Sequence, residues 1–177
     1  MTSRPTPLSP IFNNIPHTLT AQPCWVLWSY AAKDGKWTKI PKQPSGMNAS
    51  TANPATWSSF DTVCAAYQSG GFDGIGIVLS GEPLDNGLYL VGFDFDHCLV
   101  HGVLDAVPCK TVQQLDTYTE ISPSGEGIRI FLLHDKAIPS CKTNKLDGKS
   151  REVYSCGRYL TVTGHALGKP KQVRHVA

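Results

Sequence analysis

Two aspartates stand two residues apart at the end of an apolar run, in the sequence VGFDFD of residues 91–96. Side chains alternate between the two faces of a β-strand, so Asp94 and Asp96 are predicted to share one face, with Phe93 and Phe95 on the other. Two carboxylates this close repel each other unless a cation lies between them. Mg²⁺ and Mn²⁺ prefer oxygen ligands, so the motif predicts a divalent-metal site rather than a solvated strand end with acidic residues.

A second segment, SPSGEGIRI at residues 122–130, is a turn of small residues that opens a strand carrying an arginine. Such a turn exposes backbone N–H groups that can bind phosphate oxygens. The guanidinium of Arg129 can add a bidentate contact to the same phosphate. Taken alone, the segment is better explained as an ordinary hairpin turn followed by an outward-facing arginine.

A third segment, REVYSCGRYLTVTGH at residues 151–165, carries one more carboxylate and several cationic side chains. Glu152 could complete a three-carboxylate metal site with the two aspartates. Arg158 and His165 could contact a triphosphate. The alternative for this segment is a hairpin with surface charge.

The composition describes a packed, nearly neutral domain. Hydrophobic residues make up 41% of the 177 residues and charged residues 17%, below the ~25% of a typical domain, which argues against a disordered or coiled-coil chain. The net charge of +2 does not by itself indicate a nucleic-acid-binding protein. No apolar stretch approaches the ~20 residues of a membrane span, and residues 1 to 20 do not resemble a signal peptide. We therefore expect a protein of the cytoplasm.

The six cysteines are predicted to be free thiols. They stand at positions 24, 64, 98, 109, 141 and 156, and no two of them form a C-x-x-C pair. Free thiols are the ordinary state of cysteines in a cytosolic protein. A zinc site built from His97, Cys98, His101 and Cys109 is conceivable, but this spacing fits no common zinc pattern.

The turn residues and the hydrophobic periodicity predict an α+β domain. A hairpin is expected from strands at 24–30 and 37–40, the second ended by Pro41. A helix is expected over 54–68, with Asn53 as its cap, and a weaker helix over 103–115. Further strands are expected at 75–79, 88–94, 117–121, 128–133, 151–154 and 158–162. Asn86-Gly87 is a turn signal between the first two of these.

The chain is expected to have three parts. Residues 1–20 form an extended N-terminal arm, residues 21–168 the folded domain, and residues 169–177 a short basic tail or the start of a linker. The sequence contains no G-x-x-x-x-G-K-[ST] motif, so a helicase module is expected only outside these residues.

Three pieces of the sequence together resemble a known family. GFDFDHC, YTEISPSGEGIRIF and GRYLTVTGH occur in this order, and the set is similar to that of the archaeo-eukaryotic primase superfamily, above all the primase-polymerase domains of phages and plasmids. The resemblance covers residues from about 25 to 168. It implies a mixed or antiparallel central sheet with flanking helices, the RRM-like catalytic core of these enzymes.

The resemblance also implies roles for individual residues. Asp94, Asp96 and Glu152 would be catalytic residues that bind two Mg²⁺ or Mn²⁺ ions. The residues implied to hold the triphosphate are Ser122, Ser124, Gly125 and Arg129, assisted by Arg158 and His165. Many members carry histidine where this chain has Arg129, which keeps the positive charge but not a proton-transfer role. Lys39 and Lys42, beside the first hairpin, would contact DNA or nucleotide.

The implied activity is template-directed nucleotidyl transfer by a two-metal mechanism, as a primase or polymerase in phage or plasmid replication in a bacterial host. Its substrates would be dNTPs or NTPs, and its partners a single-stranded DNA template and a helicase domain or protein outside the chain. One alternative is an inactive replication-initiator module that only binds DNA, although clustered carboxylates oppose binding to a polyanion. The other is a metal-dependent nuclease or phosphotransferase, which the triphosphate-type segment disfavours without excluding it.

Overall fold

The computed structural model describes residues 3–139, 141–143 and 151–177, with only the backbone of 141–143. These residues form an α+β structure dominated by antiparallel strands. The strands are β1 (Trp25–Lys33), β2 (Lys36–Lys42), β3 (Gly74–Leu79), β4 (Tyr89–Phe95), β5 (Leu99–Val100), β6 (Val103–Leu104), β7 (Thr119–Ile121), β8 (Ile128–His134), β9 (Cys141–Thr143), β10 (Arg151–Tyr154), β11 (Arg158–Val162) and β12 (Arg174–His175). The helices are α1 (His17–Thr20), α2 (Phe60–Ser69) and α3 (Ala106–Leu115), with 3₁₀ turns at Phe12–Asn14 and Pro54–Thr56.

The first sheet has four antiparallel strands in the order β11-β3-β1-β2. It contains the predicted hairpin, in which Tyr30 lies opposite Lys39 and Ala32 opposite Trp37. The prediction that Pro41 ends the second strand was wrong, because β2 continues to Lys42. β2 lies at the edge of the sheet, where a residue without an N–H group is tolerated.

The second sheet has the order β12-β8-β4-β10-β9, with β7 also pairing with β8. Its pairs are antiparallel except for the short parallel pair of β12 with β8. The strands thus form two main sheets, whereas one central sheet was expected. The turn at Asn86-Gly87 is present, with Gly87 N–H donating to Leu84 O at 2.8 Å, but the strands on either side of it enter different sheets. The connection between β10 and β11 likewise joins strands of different sheets.

The helices begin later than the sequence predicted. Asn53 does act as a cap, but only for the 3₁₀ turn Pro54–Thr56, whose Ala55 N–H it accepts. Trp57 and Ser58 are extended, and Ser58 exchanges backbone hydrogen bonds with Trp25. The helix α2 is therefore separate from the 3₁₀ turn, and it begins at Phe60 with Ser59 as its N-cap. In the second region β5 and β6 form a small hairpin, and α3 begins at Ala106.

Two apolar clusters stabilise the structure. The larger one joins both sheets and α2, and its fully buried members include Trp25, Leu27, Ile77 and Phe131. The smaller one lies on the other face of the second sheet, where Phe95, Ile128 and Ile130 pack with residues of α3. A Cβ at Gly92 would lie 2.3 Å from Leu160 Cδ1, so this glycine in β4 allows the first sheet to approach the second closely. No helix of the described residues is long and apolar enough to cross a membrane.

The N-terminal arm is packed against two segments, one after β7 of the second sheet and one after β11 of the first. Leu8 N–H donates to Pro123 O at 2.9 Å and Ile11 N–H donates to Thr163 O at 2.8 Å. Gly164 has a positive φ of 68°, and a Cβ there would lie 2.1 Å from the carbonyl oxygen of Ile11. The contact therefore requires glycine at this position.

Candidate active site

Four charged residues form a row across four neighbouring strands of the second sheet. Glu120 on β7 lies opposite Arg129 on β8, Arg129 lies opposite Asp94 on β4, and Asp94 lies opposite Glu152 on β10. Residues directly opposite each other on paired strands point to the same face. Strand pairing alone therefore brings together residues from three distant parts of the sequence, which we call the charged row.

Asp94 and Arg129 form a buried ion pair at the centre of the charged row. Arg129 Nη2 lies 3.2 Å from Asp94 Oδ1 and donates to Asp94 Oδ2 at 3.3 Å. The side chains are only 16% and 6% exposed, respectively. Burial raises the pKa of Asp94, and the nearby charge of Arg129 opposes this effect.

The ion pair leaves several buried polar atoms without hydrogen bonds. Asp94 Oδ1, Arg129 Nε and Arg129 Nη1 are buried and have no hydrogen-bond partner. Burying polar groups in this state is costly. A ligand with several oxygen atoms would satisfy the arginine, and a cation would satisfy the aspartate.

Glu152 is part of a second cluster on the same sheet. Tyr154 donates a hydrogen bond from its hydroxyl to Glu152 Oε2, and the guanidinium carbon of Arg158 lies 5.2 Å from the centre of the Tyr154 ring. Burial, together with the hydrogen bond to Glu152, raises the pKa of Tyr154 to about 12. Arg158 is exposed, so the structure places a cation beside the third predicted carboxylate.

Lys39 brings a charge from the first sheet to this region. Burial, followed by the positive charge of Arg129, lowers the pKa of Lys39, and the charges of Asp94 and Asp96 act in the opposite direction. Its backbone carbonyl accepts a hydrogen bond from the Tyr159 hydroxyl at 2.8 Å. The predicted residues Asp94, Asp96, Arg129 and Lys39 therefore lie within electrostatic reach of one another.

The small-residue turn is closed by its own hydrogen bonds. Ser122 is 3% exposed, and its Oγ accepts from Gly127 N at 3.1 Å and lies 3.1 Å from Ser124 Oγ. A Cβ at Gly127 would lie 2.5 Å from Phe95 O, and Gly125 has a positive φ of 77°. Ser122 thus shapes the turn from inside, whereas Ser124 is on its exposed side.

Two of the predicted site residues are bound elsewhere. His165 Nε2 lies 2.8 Å from the carbonyl oxygen of Ser9, in the N-terminal arm. Lys42 donates to Asn48 Oδ1 at 2.8 Å. Lys42 is three residues from Lys39 on the same strand, so the two lysines point to opposite faces of β2.

Glu120 is a charged residue of the row to which the sequence analysis assigned no role. It is fully buried, and it accepts hydrogen bonds from Tyr118 Oη at 2.7 Å, Thr163 N at 2.9 Å and Gly164 N at 2.9 Å. Burial raises the pKa of Glu120 from 4.5 to about 7, although its hydrogen bonds oppose the shift. Glu120 stands two residues before the predicted hairpin turn, and a hairpin there puts it opposite Arg129. This position in the sequence could have identified it as a site residue.

The described residues contain no group of three or more His, Cys, Asp or Glu side chains arranged to hold a metal ion. Asp94 is turned towards Arg129, and Glu152 bonds to Tyr154. Cys98 is buried and donates to Phe95 O, and His97 lies 3.0 Å from Glu126. The conceivable zinc site is thus not assembled in the described part of the chain. The cysteines whose side chains are described form no disulfide bond. The side chain of Cys141 lies outside the described part of the chain.

The fold and the charged row define an α+β protein with a buried acid–arginine centre, and the sequence is related to that of a DNA primase-polymerase. The relative is the DNA Primase-polymerase of Nitratiruptor phage NrS-1, which is 36% identical over 152 residues. The match covers 81% of this chain and 19% of the phage protein. The chain therefore corresponds to about a fifth of that protein's length. None of the protein-family models matches the chain.

Proposed function

We propose that this chain is a primase-polymerase catalytic domain of the archaeo-eukaryotic primase superfamily, with the RRM-like core of the phage and plasmid enzymes. It adds dNTPs or NTPs to a strand paired with single-stranded DNA. The relationship to the phage protein supports the class of activity. The observation that carries the proposal is a buried arginine with unsatisfied donors, Arg129, directly opposite a carboxylate from a D-x-D motif.

Arg129 is proposed to bind the triphosphate of the incoming nucleotide. Its buried Nε and Nη1 have no hydrogen-bond partner, and the oxygens of a phosphate group can accept bidentate hydrogen bonds from the planar guanidinium. The turn of residues 122–127 follows β7 beside it, with Ser124 and the left-handed Gly125 on its outer side. A cavity of about 410 Å³ adjoins this turn, lined by His97, Leu99, Val100, His101, Gly125 and Glu126. The turn therefore has open space beside it.

Asp94, Asp96 and Glu152 are proposed to hold Mg²⁺ or Mn²⁺. When bound, these ions supply charge neutralisation at the triphosphate and activation of the attacking hydroxyl. Hard oxygen donors suit these cations, and the buried Asp94 Oδ1 without a hydrogen-bond partner offers one such donor. Asp94 lies directly opposite Glu152, so the two carboxylates share one face of the sheet, as two ligands of one ion would have to.

The remaining cations have supporting roles in the proposal. Arg158, which lies over the Tyr154 ring, is proposed to contact the phosphates from the first sheet. His165 acts through the N-terminal arm, since its imidazole bonds to Ser9 O. Phosphoryl transfer depends on positioning and charge more than on a protein nucleophile, which suits a site made of carboxylates and cations. A helicase outside these residues and the cytoplasm of a bacterial host complete the proposed setting.

The test is template-directed incorporation of labelled nucleotides, with and without a primer, in Mg²⁺ and in Mn²⁺. Asp94→Asn should abolish incorporation, because the neutral amide cannot balance a cation. Asp85→Asn is the matched control, since Asp85 is exposed in the connection before β4, and its activity should equal that of the wild type. Binding of Mn²⁺, followed by electron paramagnetic resonance, should weaken in Asp94→Asn and not in Asp85→Asn.

Other outcomes would assign the site differently. DNA binding without incorporation by the wild type would favour an initiator module that has no catalytic activity. Metal-dependent cleavage of DNA without incorporation would favour a nuclease. Full incorporation by a folded Asp94→Asn variant, judged by circular dichroism, would contradict the proposed site.

A further inference from the structure

One face of the β1–β2 hairpin carries two aromatic rings and a lysine side by side. Tyr30 lies opposite Lys39, and Ala32 lies opposite Trp37, so Tyr30, Lys39 and Trp37 share a face. The rings of Tyr30 and Trp37 meet edge to face at 6.3 Å, and Lys39 Nζ lies 5.9 Å from the centre of the Tyr30 ring. All three side chains are half-buried, which leaves part of each accessible. We call this surface the hairpin platform.

The hairpin platform is anchored at its base. Trp28, the preceding aromatic residue on the same face of β1, is 1% exposed and its ring meets that of Tyr30 at 5.1 Å. Asp73 accepts hydrogen bonds from Tyr30 N at 2.7 Å and from Arg4 at 2.6 Å. Tyr30 is therefore held by a buried ring and by a hydrogen-bonded backbone, which lowers the entropy cost of binding to its ring.

The hairpin platform is continuous with the candidate active site at one end, and its other end lies beside the tip of the hairpin. Lys39 lies within electrostatic reach of Asp94, Asp96 and Arg129. At the tip, Lys33 and Lys36 are exposed, but the register places them on the opposite face from Lys39. With a chain net charge of only +2, affinity for a polyanion has to come from a local surface of this kind.

We propose that the hairpin platform binds the single-stranded DNA template, with bases stacked on Tyr30 and Trp37 and a backbone phosphate on Lys39. The inference rests on the proposed function and adds the path of the template to it. An incoming nucleotide offers the same chemistry, a base and phosphates. The row of Tyr30, Lys39 and Trp37 along the hairpin suits a strand, whereas Arg129 and the turn of residues 122–127, proposed for the nucleotide, lie on the other sheet.

The register supplies a matched control within the same strand. Lys42 lies opposite Leu27, on the other face of β2, and its ammonium is held by Asn48. Lys39 and Lys42 were both expected to contact DNA, but Lys39 lies on the face of the hairpin platform and Lys42 does not. Lys39→Ala and Lys42→Ala remove the same charge from opposite faces, so a difference between them reports the face and not the net charge.

The experiment measures binding of a fluorescently labelled oligo(dT) to the whole chain by anisotropy, over a range of salt concentrations. Trp37→Ala should weaken binding about tenfold, as expected for the loss of one stacked base, and Trp37→Phe should retain most of the affinity. Lys39→Ala should weaken binding and reduce the salt dependence by about one phosphate contact, whereas Lys42→Ala should match the wild type. The inference would be overturned if folded Trp37→Ala and Lys39→Ala bound the oligonucleotide with the same affinity as the control, Lys42→Ala.

A second measurement uses the unmodified protein and so does not depend on how the variants fold. Oligonucleotides containing 5-iodouracil should crosslink on irradiation to Tyr30 or Trp37, identified by mass spectrometry, and crosslinks confined to other surfaces would overturn the inference. Crosslinking that is abolished by a free nucleotide would assign the platform to the incoming nucleotide, and so overturn the template assignment. Crosslinking at Tyr30 or Trp37 in a protein that incorporates no nucleotide would refute the proposed function and leave the DNA-binding surface in place.

Discussion

Substitution of Glu120 by glutamine should change how the stability of the protein depends on pH. Glu120 is fully buried, and burial raises its pKa from 4.5 to about 7. A carboxyl group that binds its proton more tightly in the folded state stabilises that state at low pH. This contribution is fully present below pH 4.5, and it is lost as the pH rises towards the folded-state pKa. Glutamine does not titrate, so Glu120→Gln should lack this part of the pH dependence.

The expected magnitude follows from the two pKa values. The difference between 4.5 and about 7, at ~1.36 kcal/mol for each tenfold change in proton affinity, corresponds to about 3 kcal/mol in the free energy of unfolding. Between pH 5 and pH 8 about 2.5 kcal/mol of this should be lost by the wild type relative to Glu120→Gln. Asp94, whose pKa is also raised by burial, is present in both proteins, so its contribution largely cancels in the comparison.

Urea unfolding followed by circular dichroism at several pH values measures this difference. Glu82→Gln, a change at an exposed glutamate in the connection before β4, is the control and should follow the wild type. A different result would be that the free energies of unfolding of the wild type and Glu120→Gln differ by the same amount at every pH. That result would mean that the hydrogen bonds from Tyr118, Thr163 and Gly164 fully compensate the buried charge. A wild type that gains stability with pH relative to the variant would refute the reasoning outright, because it requires a lowered pKa.

Three further changes test other parts of the structure. In a primer-extension assay, Arg129→Lys should raise the KM for the nucleotide about tenfold or more, because lysine lacks the bidentate fork; an unchanged KM would remove Arg129 from the nucleotide site. Thr161→Val should leave the unfolding free energy unchanged or slightly higher, since the buried Thr161 hydroxyl has no hydrogen-bond partner; a loss above ~1 kcal/mol by urea titration would contradict this. Gly164→Ala should lower Tm by roughly 4–8 °C, the equivalent of about 2 kcal/mol, because a Cβ there collides with Ile11 O and φ is 68°; an unchanged Tm by differential scanning calorimetry would show that the arm is not docked there.

Most of the strands could be predicted from the sequence because their apolar runs are bounded by turn residues. The runs at 75–79, 128–133 and 151–154 were confirmed to within one residue of their predicted ends. The division into two sheets could not be predicted, because a turn such as Asn86-Gly87 reverses the chain without specifying which strand it will pair with. Pairing partners are set by packing between distant segments, as at Gly92 and Leu160.

The candidate site could also be predicted only in part, because the sequence does not specify which strands pair. Alternation along one strand placed Asp94 and Asp96 together, but the contact of Asp94 with Arg129 depends on the pairing of β4 with β8. The separation of Lys39 from Lys42 follows from strand periodicity, once β2 is known to continue through Pro41. The involvement of His165 with the N-terminal arm had no signal in the sequence, since the arm shows no periodicity.

The docked N-terminal arm has a consequence for the order in which the protein folds. Ser9 and His165 are bonded across 156 positions of the sequence, and Asn14 bonds to Gly164 across 150. During synthesis the arm is made before β11, yet it cannot reach its final place until β11 and the turn after it have been made and paired with β3. Contacts of such high sequence separation form slowly, because loop closure costs entropy before the contacts compensate for it. The arm is thus made before the residues that it binds but becomes ordered after them, and protection of the Ile11 amide from hydrogen exchange would mark the completion of the fold.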